Sequence, residues 1–563
     1  MSKVICLEEC VKQVIHPNST LHFSFTHNRP MAFAWEIIRQ FSHTKLQLHL
    51  VGTGMLEYAI ALIWAGHVKK LEGAFFGETY PSPSPNRLIS KLAREGKLEI
   101  EYWTNLTIPQ RLMASAYRLD FIPTRSLVNS SILEEHVDSG KAFTVKDPIG
   151  ENETVMIRRL IPDVTVVHGS VADEDGNTVI TPPYGEDLWG VFAAKKVVVV
   201  VEKIVDKAAI QPLSHLVKIP AHKVDYVVEV PLSAHPYGVS PIGYSDAAYT
   251  EDYAFRVSFS EAIKGGLDIM EFMEQWDLDK GHEAFLEKLG TERIAKLKSN
   301  FTAGSLKNHQ IDCDSSPTST EKLIVSASRI IAEKIKSQNI KTILAGIGVS
   351  HLTAWLVYKR LKAEGIPIQL MTETGYYGYE PVNGDPYIFN FGNLFTNMKQ
   401  SSFVEILGQF VGDPSSPCLA ILSAAQIDSQ GNLNSTKIPE KNVYLTGSGG
   451  ANDIASVASD VAVMMNGDSR KFINKVPYVT STGEKVSTIF TNLAVLTRKN
   501  SDESFSVSHW IPGGTDASQY REMLGELLPW EIPVLDHAVV MSEPSRLELE
   551  WLRALDPEKV FLQ

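Results

Sequence analysis

An apolar run, a Gly-x-Gly turn and an amphipathic stretch follow one another twice in this chain. The first copy is Leu50-Val51, Gly52-Thr53-Gly54 and the residues from Leu56; the second is Thr342–Ala345, Gly346-Ile347-Gly348 and Leu352–Leu361. A recurring strand-then-helix order restricts the fold, because strands can lie parallel in one sheet only when a long crossover, usually a helix, joins them. A second echo has the same sense. Val171-Ala172-Asp173-Glu174-Asp175-Gly176-Asn177 follows the apolar run at Val164, and Gln426-Ile427-Asp428-Ser429-Gln430-Gly431-Asn432 follows Leu419–Leu422. Each predicts a strand ending in an Asp-x-x-Gly-Asn turn, where Gly and Asn tolerate positive φ. Neither Gly-x-Gly completes Gly-x-Gly-x-x-Gly, so both read as tight strand-to-helix turns rather than nucleotide sites.

At 563 residues the chain exceeds one compact core. The polar, turn-rich segment 303–320 has no apolar periodicity and reads as a linker between residues 1–302 and 321–563. The predicted fold class is α/β, with two related, open, mostly parallel-sheet domains and a cleft between them.

The formal charge of −13 disfavours a phosphate-backbone partner, and no window is apolar enough to span a bilayer. Acids at Glu8 and Glu9 interrupt the apolar core a secretory leader needs, so the expected location is cytoplasmic. Cys6, Cys10, Cys313 and Cys418 are too few and scattered for a disulfide framework or a zinc site, and no metal is expected.

Two segments carry candidate chemistry. Thr372-Glu373-Thr374-Gly375 sits between an apolar run and a loop of small and aromatic residues, where a carboxylate can meet a substrate. Gly447-Ser448-Gly449-Gly450-Ala451-Asn452-Asp453 has so little side chain that its backbone can approach an anion closely. Arg29 is a candidate partner for a substrate carboxylate or phosphate. Tyr376, Tyr377 and Tyr379 either wall the cleft or fill the core.

In order and spacing the chain resembles a family I CoA-transferase, specifically glutaconate CoA-transferase with its α and β subunits fused. The first half is similar to the α subunit through Asn28-Arg29-Pro30-Met31-Ala32, Phe121-Ile122-Pro123-Thr124, Pro162-Asp163-Val164 and Ser233-Ala234-His235-Pro236. The second is similar to the β subunit through Ala425-Gln426-Ile427-Asp428, Asn434-Ser435-Thr436, the Thr446–Ile454 stretch and Tyr478-Val479-Thr480-Ser481. The resemblance makes Glu373 the catalytic glutamate. It implies ping-pong transfer of CoA between an acyl-CoA and a small, possibly dicarboxylic, acid through a glutamyl-CoA thioester, with CoA as co-substrate and no tightly bound cofactor.

Candidate oxyanion or CoA-binding positions are Gly447, Ser448, Gly449 and Gly450, together with Ala424, Ala425, Gln426, Gly375 and Asn452. Ser82 and Ser84 fall where the family has a serine-containing loop at the acid site. The family's Gly-Gly-Ala-Gln is Ser423-Ala424-Ala425-Gln426 here, and its glycine-rich α-type segment is Phe23-Ser24-Phe25-Thr26. The family implies a homodimer or higher homo-oligomer. The same scaffold also serves acyl-CoA hydrolases, decarboxylases and ring-opening enzymes, and a non-catalytic acyl-CoA-binding protein is the alternative from another class.

Overall fold

A computed structural model describes residues 2–24, 28–80, 82–150, 153–242, 244–299, 311–513 and 517–563. The first sheet contains β1 (Thr20–Phe23), β2 (Leu48–Gly54), β3 (Val68–Phe75), β4 (Glu99–Tyr102), β5 (Val164–Ala172), β6 (Lys196–Ile204) and β7 (Tyr226–Glu229). They lie in the order β4-β3-β2-β1-β5-β6-β7, and every pair is parallel. Every residue of β5 is buried. Helices cover both faces of such a sheet, which is why its strands read as continuous apolar runs rather than as alternation. The helices α1 (Met31–Gln40) and α2 (Glu57–Trp64) pack into the same core as β1 and β2.

The second sheet contains β8 (Thr342–Ala345), β9 (Gln369–Met371), β10 (Cys418–Leu422), β11 (Asp460–Met465) and β12 (Val486–Thr491), parallel in the order β9-β8-β10-β11-β12. Antiparallel β13 (Ala494–Thr497) and β14 (Ser506–Trp510) extend it, and β15 (Val534–Val540) forms its far edge. The long helix α3 (Ser319–Gln338) opens this half with a capping box made by Thr318 and Glu321, and α4 (Val349–Ala363) follows β8. The expected α/β fold with two mostly parallel sheets is therefore present. Strand order reverses between β1 and β5 in one sheet and between β8 and β10 in the other, and such switch points open crevices at the carboxyl ends of the strands.

The repeated turns match their predicted chemistry. Asp173 accepts from the N–H groups of Gly176 at 2.9 Å and Asn177 at 2.8 Å, and Asp428 accepts from Gln430 and Asn432, both at 3.0 Å. Gly176 and Gly431 take φ of 100° and 80°. The two Gly-x-Gly segments differ. Gly346-Ile347-Gly348 is a turn, but Gly52-Thr53-Gly54 is still strand, because β3 runs on beside it and pairs Gly54 with Phe75. Of the expected linker, 303–310 lie outside the described residues, while Ser319 and Thr320 already belong to α3.

The halves are joined by buried polar contacts. The Asn452 Oδ1 accepts from the Leu127 N–H at 2.8 Å while its Nδ2 donates to the Thr480 carbonyl at 2.9 Å. Asp453 accepts from the Thr104 hydroxyl at 2.6 Å and the Leu106 N–H at 3.1 Å. Replacing Asn452 with Ala strands a buried N–H and a buried carbonyl, each worth roughly 1–3 kcal/mol. The expected outcome is a lower melting temperature in a circular-dichroism scan; an unchanged melting temperature would show that water replaces both bonds.

Candidate active site

Glu373 stands two residues beyond the end of β9, on a turn that Gly375 makes possible. Gly375 has φ of 125°, and a Cβ there would lie 2.5 Å from the Ser401 carbonyl oxygen and 2.8 Å from Pro183 of the first half. The chain then reverses into the Tyr376–Tyr377 strand, and Thr372 steadies the turn by donating its N–H to the Tyr376 carbonyl. The Glu373 side chain borders a cavity of about 170 Å³. Gly346 and Ile347 after β8, and Leu422 and Ser423 at the end of β10, line that cavity, so it occupies the switch-point crevice of the second sheet. The first half closes it with Phe75, Thr79, Pro83 and Asn105, so the cavity is shared between the halves.

Two donors hold the carboxylate. The Gly450 N–H reaches Glu373 Oε2 at 3.0 Å, and the Asn105 side chain beside the carboxyl is a second donor that favours its ionised form. A Cβ at position 450 would sit 2.2 Å from that oxygen, so a side chain there would push the carboxylate off this donor. Desolvation nevertheless outweighs both donors and pushes the Glu373 carboxyl up to about 7. Asp453, one turn behind, is also pushed up to about 7 by burial; hydrogen bonds from Thr104 and Leu106 oppose that rise, and the neighbouring Glu373 charge adds to it. The arrangement is a poorly solvated carboxylate with two fixed donors in a small, mostly apolar chamber, the environment that makes a carboxylate reactive.

The glycine run serves the site differently from the expected row of anion donors. The Gly447 N–H bonds the Ser435 carbonyl at 2.9 Å and the Gly449 N–H bonds the Ala74 carbonyl at 3.0 Å, so both are already used; of this run, Gly450 is the residue that donates to an anion, the Glu373 carboxylate itself. Ser448 lines the cavity and its hydroxyl accepts from the Asn452 N–H at 3.3 Å. Ala424, Ala425 and Gln426 stand outside the lining. The Ala425 N–H is spent on the Asn434 carbonyl, and the Gln426 Oε1 accepts from Asn434 Nδ2 at 2.9 Å, because this segment pairs as a hairpin. The Asn452 amide is committed at both ends, its Oδ1 to Leu127 across the halves and its Nδ2 to Thr480 within the second.

Arg29 is likewise away from the cavity, its guanidinium stacked 4.4 Å from the centre of the Tyr237 ring. In the Gly77–Asn86 loop, Thr79 and Pro83 reach the cavity and the serines do not; Ser84 pairs with Glu78 in a short hairpin that turns it aside. Phe25 and Thr26 lie outside the described residues. Tyr376 and Tyr379 are core residues, the latter accepting from the Trp355 indole at 2.8 Å. Sequence reasoning missed Asn105 and Asp453 as neighbours of the carboxylate. Asn105 follows β4, far from Glu373 in sequence, and only strand order brings them together; Asp453 ends the glycine run and was in view without a role.

Known proteins resemble this chain over much of its length. An uncharacterized protein of Archaeoglobus fulgidus is 29% identical over 303 residues, covering 53% of this chain and 64% of its own length. The first of the two subunits of the 3-oxoadipate CoA-transferase of Pseudomonas knackmussii is 29% identical over 291 residues, 48% of this chain and 97% of its own. The second of the subunits of the glutaconate CoA-transferase of Acidaminococcus fermentans is 32% identical over 162 residues, 27% of this chain and 58% of its own. The chain thus matches relatives of both subunit types, spanning nearly all of one and under two thirds of the others. The acyl-CoA transferase of Escherichia coli O157:H7 has the same fold, with a TM-score of 0.66 at 16% identity over 96% of this chain and 95% of its own. The family model described as coenzyme A transferase matches residues 4–230 and 417–510, with Glu373 between the two segments. With more than half of its residues matched in this way, the chain belongs to the coenzyme A transferase family.

Proposed function

We propose that this protein transfers CoA between an acyl-CoA and a small carboxylic acid, with Glu373 as the nucleophile and the halves 1–302 and 321–563 each supplying part of the site. The observation that carries this reading is the Glu373 carboxylate, held by Gly450 and Asn105 at a cavity that both halves line. Its attack on the thioester carbonyl breaks the C–S bond, releases CoA thiolate and leaves a mixed anhydride. The thiolate then attacks the glutamyl carbonyl, frees the first acid and leaves glutamyl-CoA. The acceptor carboxylate reverses both steps, so each activated bond is exchanged for another. During attack at the glutamyl carbon the charge develops on an oxygen that the Gly450 N–H already faces, a preorganised stabilisation. Exclusion of water preserves the anhydride. The buried Asn105 Oδ1 has no partner of its own and can accept from an amide N–H of the CoA arm.

Incubation with an acyl-CoA followed by borohydride should reduce Glu373, detected by peptide mass mapping, and Glu373→Ala should lose transfer by at least about 10³-fold. An unlabelled Glu373 in an active enzyme would sink the reading and would favour hydrolysis, decarboxylation or ring opening on this scaffold.

The pH dependence follows from the elevated carboxyl. The nucleophile is the ionised form, so kcat/KM should rise as pH passes through about 7 and level off above it. Asn105→Ala removes a donor that favours the ionised form, so its rising limb should shift to higher pH, with kcat reduced about 10²-fold or more. A limb that stays in place would deny Asn105 this part.

The same group costs stability. Its folded value lies above the ordinary carboxylate value of 4.5, so the folded state keeps the proton between about 4.5 and 7 and stability falls as pH rises through that window. Glu373→Gln should therefore stabilise the protein by on the order of 1–3 kcal/mol at pH 8 and by little at pH 4.5. Denaturant titration at the two pH values reads the difference.

A further inference from the structure

The cavity beside Glu373 has a distinctive wall. Phe75, Pro83, Ile347, Phe389, Leu422 and Ile454 make it largely apolar, and its polar side chains other than Glu373 are hydroxyls and one amide. Among the described residues that line it there is no Lys, Arg or His, and Glu373 is the ionisable one. An acyl group with a second carboxylate at its far end would need a cation there, since burying an unpaired carboxylate is among the costliest events in a protein interior.

One guanidinium does lie close behind the wall, and its charge is already taken. Arg256 donates Nη2 to the Thr79 hydroxyl at 3.0 Å, and Thr79 is a lining residue. Its Nε is bound to Glu57 at 2.7 Å and its Nη1 to Glu251 at 2.8 Å, all three side chains being nearly buried. Asp385 stands on the same side, accepting from the Tyr253 hydroxyl at 3.3 Å. Tyr80, Tyr237 and Tyr387 stack around the guanidinium, with ring centres at 5.3, 5.8 and 5.5 Å. Arg256 thus faces two bound carboxylates with Asp385 nearby, so its charge is compensated before it reaches the chamber and is not offered to a distal carboxylate. The volume of about 170 Å³ suits a short acyl group, because a cavity of about 150 Å³ holds a molecule of six carbons.

We infer that the acyl site accepts short monocarboxylic acyl groups with an uncharged far end and rejects dicarboxylic ones, through an apolar wall backed by an Arg256 neutralised by Glu57 and Glu251. This rests on the reading of Glu373 as the group beside the acyl carbonyl, and it departs from the dicarboxylic acid that the resemblance suggested. Thr79 is the residue at which the far end of the acyl chain meets the Arg256 cluster.

The test uses full-length protein and separates this inference from the reading beneath it. Glu373→Gln has no nucleophile and no charge at that position, so calorimetric titration of this variant with butyryl-CoA and succinyl-CoA compares the wall alone. Butyryl-CoA should bind at least 10-fold more tightly; equal or tighter binding of succinyl-CoA would overturn the inference, whether or not Glu373 is the nucleophile. In the native enzyme, kcat/KM for butyryl-CoA with acetate as acceptor should exceed that for succinyl-CoA by at least 100-fold, and a ratio near one overturns it equally. Labelling of native Glu373 is read independently and reports only on the nucleophile. Glu251→Gln gives part of the Arg256 charge back to the chamber and should narrow the ratio several-fold. A ratio unmoved in that variant, with its melting temperature within a few degrees of the native protein, overturns the neutralised arginine as the cause.

Discussion

The site depends on a backbone seam between the two halves. Phe76 donates its N–H to the Thr446 carbonyl at 2.7 Å, Gly449 donates to Ala74 at 3.0 Å, and Asn105 donates to Gly449 at 3.0 Å. Backbones approach this closely only where side chains are missing: a Cβ on Gly447 would lie 2.4 Å from the Ala74 oxygen. The seam delivers the carboxyl ends of β3 and β4 to the crevice of the second sheet. Gly450 follows at the end of the same run, so the contact that docks the halves also fixes the donor on Glu373. The polar anchors Asn452 and Asp453 come next in sequence, and they hold the loops of the first half that carry Asn105 and Leu127.

That docking sets the electrostatics. Closing the first half over Glu373 removes water from a carboxylate that has two hydrogen-bond donors and no neighbouring cation among the lining residues. A cation would lower the carboxyl and quench the nucleophile; two neutral donors orient it and leave it basic. The stability lost by confining that charge is offset elsewhere, in the apolar cores of the two sheets and in buried pairs such as Arg553 with Glu321. Arg256 shows the opposite arrangement, a full cation brought close to the chamber and compensated before it reaches it.

Much of the architecture was legible in the sequence. The repeated run of strand, turn and helix predicted two parallel sheets, and the Asp-x-x-Gly-Asn turns at Asp173 and Asp428 carry out the hydrogen bonding their residue types imply. Glu373 stood out by its position after an apolar run and by resemblance. The misreadings share a cause. Gly52–Gly54 continues as strand because β3 lies beside it, Ala425 is withdrawn by its pairing with Asn434, and Ser84 is turned aside by Glu78. In each case a pairing partner elsewhere in the chain decided where a backbone group points.

Sequence alone therefore determined the local events: which segments alternate as strand and helix, which turns require glycine, and which carboxylate follows β9. Those depend on residue type and short-range spacing, which a chain carries with it wherever it folds. The tertiary structure decided that Asn105 reaches Glu373, that two glycines dock halves rather than bind an anion, and that Arg256 is neutralised behind Thr79. Those outcomes depend on distances between residues far apart in the chain, and such distances exist only once the strand order of both sheets and the seam between them are in place.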